Sequence, residues 1–179
     1  MISFPAFAST VTAILISVSL LSCSGEPAPT PPRDPTIAEA QSYVPFPIQA
    51  PSYIPDGYEM DPHVSFLDSR HYGNEVKGVR FALRKYTPRG YKNIHVKQFL
   101  AEGTFPSTKV YVGEYVTGEM VDLGGFEAEV RQADLGDQGP LVAVEWETTH
   151  DGKRIFWAVR SHLELEETLK VVRSFRTIE

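Results

Sequence analysis

Apolar and polar side chains alternate along several stretches of the chain, and this period of two is typical of a β-strand with one buried face. The clearest stretch is 79–86, where Val79, Phe81 and Leu83 lie on one side and Arg80 and Arg84 on the other. Strands are also predicted over residues 58–67, 94–100, 109–116, 126–132, 141–149 and 153–161. Together they predict an antiparallel sheet of about six strands.

Short segments rich in glycine and proline separate these strands and predict tight turns. Asp151-Gly152 is a favoured type I′ pair, so the strands on either side of it form the clearest hairpin. Thr87-Pro88-Arg89-Gly90 predicts a second hairpin. Pro55-Asp56-Gly57 predicts a turn in which proline presets φ and glycine supplies a positive φ. Gly124-Gly125 is interpreted as a bulge or turn between strands.

The period changes near the C-terminus, where residues 165–175 predict a helix. Leu165, Leu169, Val172 and Phe175 form an apolar stripe at helical spacing, which favours docking on a sheet. Acidic residues in the first turn and basic residues in the last match the helix dipole. The expected class is therefore α+β, with the helix packed on one face of the sheet.

The N-terminal segment has the pattern of an export signal followed by a lipid anchor. Residues 6–21 form an apolar block, and Ser22 and Cys23 follow it directly. The sequence Leu20-Leu21-Ser22-Cys23 resembles the lipobox of bacterial lipoproteins. We therefore expect a signal peptide at 1–22, lipidation of Cys23, a linker at 23–42 and one domain at 43–179. Residues 26–35 hold five prolines, which favours an extended spacer.

Two features of this segment depart from the usual signal. No Lys or Arg precedes the apolar block, and Leu21 stands where smaller residues are commoner. The alternative that they leave open is an uncleaved membrane anchor with an incidental cysteine.

Composition excludes several classes of function. The net charge of −6 argues against nucleic-acid binding, which normally requires a basic surface. The single cysteine excludes an intramolecular disulfide and a thiolate metal cluster. No stretch after residue 25 is long and apolar enough to cross a bilayer, which takes about 20 residues, so we expect a soluble domain on a lipid tether.

Several motifs resemble a bacterial domain family of unknown function that occurs in envelope lipoproteins and in anti-sigma-type and sporulation-linked membrane proteins. The segment from Pro51 to Tyr58 is similar to that family's "P-x-Y-L-P-x-G-Y" motif. Further similar segments are 121–128, the strand around Trp146, the aromatic strand 155–157 and the helix 163–174. The resemblance covers roughly residues 43–177. It implies an envelope location and a sheet-plus-helix fold, and it brings no catalytic residues.

The side chains that could carry chemistry form no recognisable catalytic or metal-binding motif. His63 and His71 with Asp61 and Asp68 are the nearest to a ligand cluster, but a solvated loop explains them. Asp134 and Asp137 lack the remaining oxygens of a calcium loop. Glu164, Glu166 and Glu167 complement the helix dipole. No nucleophile elbow or phosphate loop occurs, so we expect no cofactor and no enzyme activity.

Exposed aromatic rings near turns are candidates for a contact surface. These are Tyr86, Tyr91, Phe105, Tyr111 and Tyr115. The expected function is a lipid-anchored, non-catalytic binding module of the cell envelope with a protein partner, acting in sensing or assembly. Two alternatives remain open: an envelope-acting hydrolase or transferase, and a carrier of an apolar ligand between sheet and helix.

Overall fold

The strands form one large antiparallel sheet in the computed structural model, which describes residues 31–67, 77–88, 90–101 and 118–178. The elements in chain order are α1 (Ile37–Gln41), β1 (Gln49–Pro51), β2 (Glu59–Met60), β3 (Ser65–Leu67), β4 (Gly78–Thr87), β5 (Gly90–Leu100), β6 (Glu119–Asp122), β7 (Glu127–Asp134), β8 (Pro140–His150), β9 (Lys153–Ser161), α2 (Leu165–Arg173) and β10 (Phe175–Thr177). The sheet has eight strands in the order β2-β4-β5-β9-β8-β7-β6, with β3 also paired to β4. β1 and β10 form a separate two-stranded ribbon.

The predicted antiparallel sheet with a C-terminal helix is confirmed, but the prediction of about six strands is too low, and the fold is mainly β. The strand predicted at 58–67 is split into β2 and β3, because Pro62 has no N–H for a ladder. The strand predicted at 94–100 begins at Gly90, which pairs with Thr87 across the hairpin. The strand predicted at 109–116 lies outside the described residues.

The Asp151-Gly152 turn is confirmed as the connection between β8 and β9. Asp151 has φ 49° and Gly152 has φ 73°, the two positive values that a type I′ turn requires. Gly124 and Gly125, with φ 84° and 138°, form the predicted turn between β6 and β7.

The two faces of the sheet differ in chemistry. One face, called the core face here, carries the buried apolar side chains of the central strands: Val79, Phe81, Leu83, Ile94, Val96, Val142, Val144, Ile155, Trp157 and Val159. The other, called the polar face, carries the charged side chains of the central strands and β7: Arg80, Arg84, His95, Lys97, Arg131, Glu145 and Arg160.

Helix α2 packs on the core face through most of its predicted stripe. Leu169 and Val172 are buried, and the hydroxyl of Thr168 lies 2.6 Å from that of Ser161 at the end of β9. The helix ends at Arg173, so its predicted last residue, Phe175, is not helical. Phe175 instead pairs with Pro51 in the β1–β10 ribbon, because tertiary pairing overrides the local period there.

Aromatic rings occupy the interior around this ribbon. Trp146 and Trp157 are cross-strand partners and stack with centroids 5.5 Å apart. Phe175 packs edge-on against both, at 5.8 and 5.9 Å. The indole N–H of Trp157 donates to Thr148 over 2.8 Å. These rings therefore pack against one another in the core beside the ribbon.

Residues 31–42, which the sequence assigns to the linker, are part of the compact unit Pro31–Glu179. The N–H of Val64 donates to the carbonyl of Pro35 over 2.8 Å, and Ala40 is fully buried. Thr36 and Glu39 form a capping box at the start of α1. The hydrogen bond from the backbone N–H of Thr36 lowers the pKa of Glu39.

The "P-x-Y-L-P-x-G-Y"-like segment has an architectural role in the structure. Ser52 donates from its N–H and its hydroxyl to the carbonyl of Ser174, and the Tyr53 N–H donates to the Ser174 hydroxyl over 3.0 Å. The Tyr53 hydroxyl donates to Glu167 on α2. Gly57 has φ 76°, as its predicted turn requires. This segment thus fastens the start of the domain to the C-terminal helix.

Candidate ligand-binding pocket

A recess of about 480 Å³ opens where the start of β5, the end of β9 and the 3-10 turn Gly136–Gln138 meet. It is lined by Tyr91, Lys92, Asn93, His95, Asp137, Arg160 and His162. The strand register explains why these side chains converge: His95 is the partner of Arg160, so Asn93 falls opposite His162 one pair further out on the same face. The volume is in the range of small-molecule sites, which is about 300–1,000 Å³.

Cations surround His95 on the polar face beside the pocket. Arg160 is its cross-strand partner, and Arg80 and Lys97 are partners of each other on the same face. Burial, followed by the charges of Arg160, Arg80 and Lys97, lowers the pKa of His95 below its ordinary 6.5. The lining of the pocket itself combines the cations Lys92 and Arg160 with the carboxylate of Asp137.

Two enclosed polar atoms at the pocket have no hydrogen-bond partner in the part of the chain that the structure describes. They are Oδ1 of Asn93 and Nδ1 of His162. Nearly all buried polar atoms in proteins are hydrogen-bonded, and leaving one without a partner costs about 1–3 kcal/mol. Both residues line the recess, but the two atoms themselves have almost no solvent-accessible surface, so they are not open to a ligand placed there.

Two tyrosines of the predicted contact surface stand at the rim. Tyr86 and Tyr91 are cross-strand partners at the end of the β4–β5 hairpin, 72% and 61% exposed. Tyr91 also lines the pocket, and the guanidinium of Arg84 lies 5.6 Å from the centroid of its ring. Arg84 is itself held by Asp61 over 2.6 Å. The other predicted contact residues, Phe105, Tyr111 and Tyr115, lie outside the described residues, as does Cys23.

The described members of the histidine and aspartate clusters considered from the sequence make local hydrogen bonds. His63 Nδ1 lies 3.0 Å from the carbonyl of Asp34, and Asp134 accepts from the N–H of Gly136. Asp137 alone of these residues lines the pocket. Asp68 and His71 lie outside the described residues. Within the described ranges no group of three or more potential metal ligands converges.

Within the acidic cluster at the start of α2, Glu167 makes two side-chain hydrogen bonds. Glu167 accepts from the Tyr53 hydroxyl and from Lys170, whose Nζ lies 2.9 Å away. These two hydrogen bonds, in that order, lower the pKa of Glu167, while the bond to Glu167 raises the pKa of Tyr53. The side chain of Glu164 makes no capping hydrogen bond.

Sequence reasoning did not propose five residues of the pocket: Lys92, Asn93, His95, Arg160 and His162. His95 and Arg160 lay within two predicted strands, whereas Asn93 and His162 lay one residue outside the ends of those strands. Period two predicts which side chains share a face, but it does not predict that β9 lies beside β5. Without that pairing the two histidines, 67 positions apart in the chain, could not be brought together.

No protein-family model matches this chain, and no similar sequence was found among curated proteins. In the described ranges, no helix has the length and apolar character needed to cross a membrane.

The described lining of the pocket combines several kinds of polar group. It offers hydrogen-bond donors and acceptors, cationic groups and an aromatic ring, and none of the described lining residues is a serine, threonine or cysteine. A catalytic histidine is normally oriented by a carboxylate. The charged groups that act on His95 in the described structure are cations. This arrangement lowers the basicity of His95.

Proposed function

We propose that the protein is a lipid-anchored module of the bacterial cell envelope whose domain binds a ligand, without transforming it, on the polar face of the sheet. The observation that carries the binding role is the pocket at β5 and β9, where polar and cationic side chains adjoin exposed tyrosine rings. The strand register supports this assignment, because most of the polar and cationic lining residues lie on the face of the sheet opposite the apolar core.

The binding role can be tested by photocrosslinking in living cells. A photoreactive amino acid replaces Tyr86, which is exposed at the rim, and in a matched control it replaces Met120, which is 60% exposed on β6. We expect a discrete adduct at position 86 that is absent at position 120. No adduct at position 86, or the same adduct at both positions, would contradict binding at this pocket.

The anchor requires a separate test. The sequence ending in Cys23 supports lipidation, so Cys23→Ala should abolish incorporation of labelled palmitate and release the protein from membranes. Ser24→Ala is the matched control and should leave both unchanged. Membrane retention of Cys23→Ala would favour the uncleaved anchor instead.

A second candidate function is hydrolysis or group transfer on envelope material. The observation in its favour concerns His95. The lowered pKa of this residue keeps its imidazole neutral at pH 7, so the ring is able to accept a proton. Incubating the purified protein with envelope extract and following products by mass spectrometry tests it. Product formation by the wild type that is lost in His95→Gln would favour catalysis over simple binding. If the envelope extract is chemically unchanged after incubation, the binding role is supported.

A further inference from the structure

The β4–β5 hairpin extends beyond the apolar core of the sheet. Leu83 and Ile94 are its last cross-strand pair in which both side chains are fully buried. The ladder continues outward from this pair as far as Thr87 and Gly90. Residues 85–92, called the hairpin tip here, are exposed or half-buried wherever the structure describes them. The hairpin tip is therefore accessible from outside the domain.

Two tyrosine rings lie side by side on one face of the hairpin tip. Tyr86 and Tyr91 are cross-strand partners, and they are the two most exposed large hydrophobic side chains in the described ranges. A tyrosine ring has an apolar body and a hydroxyl group at its end, and such rings are enriched at the boundary between lipid and water. The hairpin tip thus presents side chains that suit the head-group region of a bilayer.

The hairpin tip is cationic, although the whole chain has a net charge of −6. Residues 85–92 contain no acidic residue. Lys85 donates to the backbone carbonyl of Asp56, a neutral group, and Lys92 forms no ion pair within the described residues, not even with Asp137 in the same recess. These charges are complementary to an anionic lipid surface, where each nearby lysine strengthens attraction about fivefold.

A continuous series of contacts joins the start of the described chain to the hairpin tip. The carbonyl of Asp34 lies 3.0 Å from Nδ1 of His63, and the backbone N–H of His63 donates to Asp61 over 3.1 Å. Asp61 pairs with Arg84 over 2.6 Å, and the Arg84 guanidinium lies 5.6 Å from the ring centroid of Tyr91. The chain therefore enters the domain on the side of the sheet where the hairpin tip lies.

The chain between the proposed anchor and this point is short. Eight residue steps lead from Cys23 to Pro31, the first described residue, and they can span at most about 30 Å. A lipid anchor at Cys23 would therefore keep this side of the domain near the bilayer. Short tethers give the second contact an effective concentration on the order of millimolar, so a weak contact suffices.

We propose that the hairpin tip docks on the surface of an anionic lipid bilayer. Tyr86 and Tyr91 lie among the head groups, and Lys85 and Lys92 face their negative charges. Since Tyr91 also lines the pocket, docking places the mouth of the pocket beside the membrane. This inference rests on the membrane tether of the proposed function and adds a second, reversible contact to it.

The test is fluorescence quenching by brominated lipids, with the full-length protein reconstituted in vesicles through its own anchor. Tyr86→Trp reports on the hairpin tip. Met120→Trp is the matched control, because Met120 is also exposed but lies on β6 at the far edge of the sheet. The wild type gives the background of the buried Trp146 and Trp157.

The vesicles contain brominated phosphatidylcholine mixed with anionic phosphatidylglycerol. We expect the emission from position 86 to fall at least about twofold and that from position 120 to stay unchanged, because the tether favours the docked state only at the hairpin tip. Equal quenching at the two positions would overturn the proposal. Quenching at position 86 that is as strong in phosphatidylcholine alone would overturn it as well, because the docking surface is then not anionic.

A lysine variant assigns the charge. At the salt concentration where half of the protein is docked, Lys92→Gln in the Tyr86→Trp protein should lower the ratio of docked to undocked protein about fivefold. Lys153→Gln is the matched control, because Lys153 is an exposed lysine beside the turn of the other long hairpin, β8–β9. It should leave the ratio unchanged. Equal effects of the two substitutions would refute the assignment.

The failure of this inference is distinguishable from the failure of the proposed function. Palmitate on Cys23 without quenching at position 86 overturns docking and leaves the anchor standing. Quenching at position 86 in a protein that incorporates no palmitate overturns lipidation and leaves docking standing. A crosslink from position 86 to a protein in cells, without quenching in vesicles, overturns docking and leaves the binding role standing.

Discussion

Gln98 is a fully buried amide on the core face of β5 that joins the β1–β10 ribbon to the main sheet. Its Oε1 accepts from the N–H of Gln49 over 3.0 Å, and its Nε2 donates to the Gln49 carbonyl. Gln98→Leu keeps the size of the side chain but removes both hydrogen bonds. The two backbone groups of Gln49 then lose their partners in a half-buried position.

The expected loss follows from these contacts. Two partly buried backbone groups without partners cost about 1–2 kcal/mol each, and the apolar leucine returns about 1 kcal/mol, so the net loss is about 2 kcal/mol. For a unit of this size that lowers Tm by about 4–8 °C. Thermal unfolding of the full-length protein in detergent, followed by tryptophan fluorescence, measures it directly, since Trp157 is the cross-strand neighbour of Gln98.

The matched control is Gln132→Leu, the same substitution at an exposed position on β7, which should change stability by less than about 0.5 kcal/mol. Hydrogen exchange adds a local readout, because the Gln49 amide should lose protection in Gln98→Leu before the amides of β8 and β9 do. If Gln98→Leu were as stable as the wild type, or if Gln132→Leu lost as much, the claim that Gln98 fastens the ribbon would be refuted.

Three further predictions concern the sheet. Gly78→Ala should lower the free energy of unfolding by roughly 2–3 kcal/mol in a urea titration, because its Cβ would lie 2.4 Å from the Gln98 carbonyl oxygen and the Phe99 Cβ. Arg131→Met should lower the free energy of unfolding by about 3–5 kcal/mol, because Arg131 is buried and forms an ion pair with Glu145 over 2.8 Å. Adding Glu145→Gln should recover part of that loss. If the effects of the two substitutions on the free energy of unfolding simply added, the ion pair would be contradicted. Acidification below pH 6.5 should destabilise the protein through His95. Because the pKa of His95 is lower in the folded protein than in the unfolded chain, the unfolded chain binds more protons than the folded protein in this range. The stability that is present above pH 6.5 is therefore lost as the pH falls towards the folded-state pKa. Values of Tm at pH 7.5 and 5.5 should therefore differ less in His95→Gln than in the wild type, and an unchanged difference would count against this linkage.

The sequence by itself determined the local elements of this fold. Alternation at 79–86 produced β4, because one apolar face per strand has to be buried whatever its neighbour is. Asp151-Gly152 produced the β8–β9 hairpin, since both residues must adopt positive φ and these residue types tolerate it. The stripe from Leu165 to Val172 produced α2. In each case the cause lies within a few neighbouring residues.

The tertiary structure decided what depends on partners distant in the chain. The helix ended before Phe175 because Pro51, more than 120 residues earlier, pairs with it. The pocket exists because β9 lies between β5 and β8, which brings Asn93, His95 and His162 to the same end of the sheet, beside Asp137. The period of a strand specifies which way each side chain points, but the order and register of strands are set by packing energy summed over the whole core. A pocket built across two strand ends and a turn was therefore invisible in the sequence.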